Sequence, residues 1–179
     1  MDIRICIHNS KIWLAYWLHN FGSIHKLPFE GIDGSDALGY FERTNFNHGV
    51  GQYLDMRCLR GNLNGYFEIK GWFKLKEGSE FGECKVFFPN WEVDNCPSLT
   101  FERKDYIDPQ TKYYSTDDST TSVAATKIPY RKDQFNLMHG VFKVSEDLQE
   151  ASRVFAFIQR FPKKWGLILD DFTIVPFDM

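Results

Sequence analysis

The sequence predicts an all-β domain, a sandwich or a barrel, on three observations. Aromatic residues make up 17% of the 179 positions, with 17 Phe, 8 Tyr and 5 Trp, and such residues favour strands and recognition surfaces. Long helical periodicity is scarce. Runs of Val, Ile, Phe and Tyr are broken at short intervals by Gly, Asn, Asp and Pro, which is the punctuation of strands joined by turns. The length suits one domain, 1–179, with a core of its own and no need of staples.

Strands are expected over 12–17, 37–43, 51–56, 66–76, 84–88, 98–105, 135–144, 152–161 and 167–175. Turn chemistry separates them at Gly31-Ile32-Asp33-Gly34-Ser35, at Arg60-Gly61-Asn62-Leu63-Asn64-Gly65 and at Phe161-Pro162-Lys163-Lys164. A short helical turn is expected over 145–150, with Ser145 and Asp147 able to cap it. The polar stretch 106–134 reads as an extended loop or an exposed hairpin, with Tyr113-Tyr114 available as an aromatic wall.

The strand 66–76 carries the sharpest signal. Its odd positions Phe67, Ile69, Phe73 and Leu75 are apolar, whereas Glu68, Lys70 and Lys74 are charged. Period two buries the odd set and shows the even set to water. Trp72 falls on the even face, with Glu68 sharing it. A large ring among charges on a rigid sheet suits stacking against a sugar; the bland reading is that a loop covers it. Two other strands mix aromatic and polar groups on one face. In the run Arg153 to Gln159, Val154, Ala156 and Ile158 suit a core and leave Arg153, Phe155, Phe157 and Gln159 opposite. In 37–43, Leu38 and Tyr40 suit the core and leave Phe41 and Arg43 opposite.

A formal net charge of −3 and the lack of any Lys/Arg block argue against nucleic acid. No apolar run is long enough to span a membrane as a helix. The first eight residues do not read as a secretory signal, so the chain is expected to be intracellular or a module cut from a longer secreted protein. Cys6, Cys58, Cys84 and Cys96 lack CxxC spacing. Disulfides, such as a short Cys84–Cys96 loop, and buried thiols both remain open.

Along the chain, Ser35-Asp36-Ala37-Leu38 is followed by Arg43-Thr44, His48-Gly49, Gln52-Tyr53-Leu54 and the run Phe67 to Leu75. The second half holds Phe135-Asn136-Leu137-Met138-His139-Gly140-Val141-Phe142, the run Val154 to Gln159, and Leu167-Ile168-Leu169-Asp170-Asp171-Phe172-Thr173-Ile174. This ordered set, over about 32–175, resembles the carbohydrate-binding modules of families 4, 9 and 22, which are appended to xylanases, glucanases and related enzymes. The resemblance implies a jelly-roll β-sandwich of two antiparallel sheets with galactose-binding-domain-like topology. It implies a monomeric, non-catalytic module that binds a polysaccharide in a cleft on one sheet, tethered to a catalytic domain and outside the cell or in the secretory pathway. By position, Arg43 looks like the family's ligand-contacting arginine and Trp72 like its stacking tryptophan. Phe157 and Gln159 stand where the family places an aromatic and a glutamate or glutamine. The resemblance also implies a structural Ca2+ that draws on early carboxylates and an aspartate of the last strand, with Asp36 and Asp171 as the candidates. The chain departs from the pattern at Phe29-Glu30, which lies only a few residues before Gly34-Ser35.

Catalytic constellations are weak by comparison. His8, His19, His25, His48 and His139 show no ligand spacing. A glycosidase needs two carboxylates across a cleft, and nothing selects a pair from Glu42, Glu68 and Glu102. The expected mechanism is therefore a groove shared by Trp72, Phe157, Arg43, Gln159 and Glu68. A protein-interaction domain using 106–134 or 85–95 with Trp91 is the alternative, and a jelly-roll hydrolase or lyase stands behind both.

Overall fold

The computed structural model describes residues 7–8, 18–19, 22–45, 48–62, 64–76, 81–82, 85–87, 92–94, 98–103, 120–124, 130–131, 133–161 and 165–178. In chain order its elements are β1 (Ile7–His8), β2 (Leu18–His19), β3 (Ser23–Leu27), β4 (Ala37–Phe41), β5 (Val50–Tyr53) and α1 (Met56–Gly61). They continue with β6 (Tyr66–Lys76), β7 (Phe81–Gly82), β8 (Lys85–Phe87), β9 (Glu92–Asp94), β10 (Ser98–Arg103), β11 (Thr120–Ala124) and β12 (Tyr130–Arg131). The last four are β13 (Asn136–Lys143), α2 (Glu146–Glu150), β14 (Val154–Gln159) and β15 (Gly166–Pro176).

Two antiparallel sheets form a jelly-roll sandwich. The first runs β13-β6-β15-β4-β3, with β1 added on β15; the second runs β11-β10-β14-β5-β2. The strands β7 with β12, and β8 with β9, make two further pairs. Between the main sheets lies one apolar core. The first sheet supplies Phe67, Ile69, Phe73, Leu75, Phe142, Leu167 and Leu169; the second supplies Val50, Leu99, Phe101, Val154, Ala156 and Ile158. Phe101 and Phe142 join the layers, their ring centroids 4.9 Å apart. The alternation in β6 holds along its length, with every odd residue from Phe67 to Leu75 buried. Both outer faces of the sandwich therefore follow directly from period two.

The helix α1 replaces the last residue of the expected strand 51–56. Asp55 ends the extended run and accepts a hydrogen bond from the Arg57 backbone N–H at 2.9 Å, which starts the helix. Arg60 then donates to the Gln149 and Ala151 carbonyls and ties α1 to the end of α2. Ser145 caps α2 as expected, accepting from Leu148. The strand β3 was not expected, because Ser-Ile-His-Lys-Leu lacks alternation and holds a single β-branched residue, Ile24. Within the polar stretch, Thr120–Ala124 pairs antiparallel with β10, so that part follows the hairpin expectation rather than the loop, as a strand of the sheet itself. The expected strand 12–17, Tyr113-Tyr114, Trp91, Cys6, Cys84 and Cys96 lie outside the described residues. Cys58 is buried on α1 and disulfide-bonded.

Candidate functional site

Trp72 does face outward from the first sheet, half-buried, with Leu137 and Asp170 as its cross-strand neighbours. Glu68 shares that face and meets His139, Oε1 to Nε2, at 2.7 Å. Phe157 and Gln159, however, stand on β14 in the second sheet. Their partners Val154, Ala156 and Ile158 fill the core, so their own side chains leave the sandwich on the far side. The expectation of one groove holding Trp72, Glu68, Phe157 and Gln159 is corrected: a whole core layer separates the two sets.

Arg43 departs from the expected ligand contact too. It is 1% exposed, and its guanidinium turns inward. Nε donates to the His48 carbonyl and one Nη to the Phe161 carbonyl, both at 3.2 Å. The group also lies 5.7 Å from the Tyr40 ring centroid and 5.6 Å from that of Phe161. Burial pushes the Tyr40 hydroxyl up to about 12, against the opposing effect of Arg43. Burial, and then the Arg43 charge, hold His48 below its ordinary value.

The outer face of the second sheet gathers what the first lacks. Tyr53 pairs across from Phe155, Gly51 from Phe157, Thr100 from Phe157 and Glu102 from Phe155. In-register partners share a face. Tyr53 and Phe155 have ring centroids 5.3 Å apart; Phe155 and Phe157 are 5.5 Å apart and stacked within 19°. All three rings are half-buried. The row ends at Gln159, 8% exposed, whose amide donates to the Thr100 hydroxyl at 2.9 Å. At the opposite end the Arg153 guanidinium lies 5.9 Å from the Tyr53 ring centroid. Gly51 matters to this layout. A Cβ there would come within 2.0 Å of the Ala156 carbonyl and 2.5 Å of Phe157 Cα, so only glycine lets β5 approach so closely. Tyr53 and Thr100 were not singled out from sequence. The alternation Gly51-Gln52-Tyr53 carries the signal for the former; Thr100 has none beyond its strand.

Among the described residues, the carboxylates near the 31–35 turn are already engaged by protein donors. Asp36 is paired with Lys26 at 2.6 Å, which holds its carboxyl below the usual range, and Glu30 is paired likewise with Lys76 at 2.7 Å. Asp171 sits exposed at a bulge in β15, with φ +48, a conformation Asp tolerates. Its neighbour Asp170, 3% exposed, is the aspartate that faces the 31–35 turn. Asp170 Oδ2 accepts from the Ile32 N–H at 2.9 Å and the Ser35 hydroxyl at 3.0 Å, and Oδ1 accepts from the Asp171 N–H. Ammonium groups thus meet one oxygen each of Asp36 and Glu30, and backbone and hydroxyl donors meet both oxygens of Asp170. Among the described residues, no group of three or more His, Cys, Asp or Glu is placed to hold a metal.

No protein-family model and no curated protein match the sequence. Solved structures do. A family 22 xylan-binding domain, formerly called x6b, superposes with a TM-score of 0.67 at 10% identity, over 98% of this chain and 97% of that one. The chain has the fold of a family 22 carbohydrate-binding module. The CBM22-1 xylan-binding domain of Paenibacillus barcinonensis Xyn10C gives 0.59 at 17% identity, over 99% and 97%. The CBM22-1–GH10 modules of Clostridium thermocellum Xyn10B, complexed with xylohexaose, give 0.64 at 12% identity, over 99% of this chain and 29% of that one. Identities this low establish the shared fold.

Proposed function

We propose that this chain is a non-catalytic carbohydrate-binding module that holds a polysaccharide along the outer face of its second sheet. One observation carries the reading: Tyr53, Phe155 and Phe157 form an unbroken row of half-exposed rings flanked by hydrogen-bonding groups. Sugar C–H faces stack on the rings, while Gln159, Glu102 and Arg153 address the hydroxyls. A rigid sheet keeps the ordering cost low, and the expected affinity is on the order of micromolar to millimolar. The shared fold with xylan-binding domains makes xylan the first polysaccharide to try.

Carboxylate placement supports a binder over a glycosidase. Glu68 and Glu102 lie on opposite outer faces, so the two do not flank a common bond. The disulfide at Cys58 supports an oxidising compartment, as for a secreted module. Attachment to a catalytic domain and a monomeric state belong to the same proposal.

Affinity electrophoresis against xylan, β-glucans, mannan and alginate tests it. Retardation by at least one of them, strongly reduced in Phe157→Ala, is the expected result. A chain that migrates unretarded through every polymer is no such module.

A further inference from the structure

We propose that Arg43 is a positioning residue that sets the Phe157–Gln159 end of the aromatic row without touching the glycan; this rests on reading that row as the binding face. Arg43 lies just past the end of β4 in the first sheet, yet it donates to carbonyls in two segments of the second. The His48 carbonyl precedes Gly49, which leads into β5. The Phe161 carbonyl lies two residues beyond Gln159, after Arg160 turns the chain at φ +66. Both segments bear on the same spot. A Cβ at Gly49 would meet the Ile158 carbonyl at 2.7 Å, Phe157 Cδ2 at 2.8 Å and Gln159 Cβ at 3.2 Å. Gly49 is therefore pressed against the two residues that end the row.

The chemistry suits the task. A guanidinium presents five donors in a fixed fork and can bridge two carbonyls in different directions while its faces pack on Tyr40 and Phe161. A lysine has one nitrogen on a flexible stem and bridges them poorly. Burying a charge is unfavourable unless its donors are engaged, so the site is specific to this geometry. Tyr53 and Phe155 sit further along the same strands, away from the clamp.

Locality provides the test. Without ligand, Arg43→Lys is expected to shift the Gln159 side-chain amide and Phe157 ring resonances in NMR spectra while the Tyr53 ring stays in place. Titration with xylohexaose should then show an affinity about fivefold lower, the size of coupling typical of residues in contact. That loss should shrink in a Phe157→Ala background, which leaves only the Gln159 share, and persist in full in Tyr53→Ala. Gly49→Ala pushes the same segment from the other side and should give the same pattern if Arg43→Lys fails to fold. Unmoved Gln159 and Phe157 resonances, or equal shifts at Tyr53, overturn the proposal. So do losses that are independent of background. If the parent chain ignores xylohexaose, the xylan reading fails, and the ligand-free spectra still decide the role of Arg43.

Discussion

The two outer faces of the sandwich carry similar kinds of residue and differ in how these are grouped. On the first sheet the outward face of β6 carries two large rings, Trp72 and Tyr66, set six residues apart along the strand. Trp72 stands between Leu137 and the buried Asp170, with the Glu68–His139 pair further along. On the second sheet three rings touch in sequence, and a buried Gln159–Thr100 hydrogen bond closes the row. Separated rings give isolated stacking positions, whereas a row in contact follows a chain of sugars. Contiguity, rather than the size of any one aromatic, distinguishes a polymer-binding face from a decorated surface.

The largest expected effect breaks the comparison most directly. Phe157→Ala should weaken polysaccharide binding by about 2 kcal/mol, or roughly thirtyfold, as truncation of a central anchor does. Trp72→Ala should leave it unchanged. Affinity electrophoresis of the pair checks both, and the opposite ranking would move the binding face to the first sheet.

Next comes the buried carboxylate beside Trp72. Asp170→Ala strips the Ile32 N–H and the Ser35 hydroxyl of their acceptor. Unfolding by heat should show a loss of about 2 kcal/mol, or about 5 °C, with glycan affinity retained in the folded protein. Loss of affinity without loss of stability would tie the first face to the ligand.

A smaller effect sharpens the second face. Thr100→Val leaves the Gln159 amide without its partner and should weaken binding by about 1 kcal/mol, about fivefold, measurable by titration.

The smallest effects concern charge on the first sheet. Glu30 and Asp36 both have folded values held below their ordinary 4.5 and 3.8, first by hydrogen bonds from Lys76 and Lys26. The stability they contribute is present above those ordinary values and is lost as pH falls through the lower folded ones. Both pairs are exposed, so the contribution is slight. The melting temperature of Lys76→Gln should sit just below that of the parent near neutrality and converge with it in acid. Adding EDTA or Ca2+ should leave the parent's melting temperature where it was; a rise with Ca2+ would restore the metal to this fold.

Much of this molecule was legible before any coordinates. The β6 alternation, the Ser145 cap, the core set Val154, Ala156 and Ile158, and the Asp-Asp strand at β15 all depend on local periodicity, and each stands as read. Period two also told correctly that Trp72 and Phe157 point away from the core. It did not tell which sheet each strand joins, because pairing partners lie far apart in sequence and any apolar face can meet any other. Tyr53 and Thr100 become neighbours of Phe155 and Phe157 only once β5 and β10 flank β14. Arg43 shows the same limit at atomic scale. Alternation put it opposite Leu38 and Tyr40, yet the residue lies beyond the end of β4, where the chain no longer keeps its period. The sequence by itself determined an aromatic-rich sandwich with outward-facing rings, since side-chain direction is a property of the strand. Which rings meet, and whether an arginine reads a ligand or holds a loop, was decided by long-range strand order and the packing that follows from it.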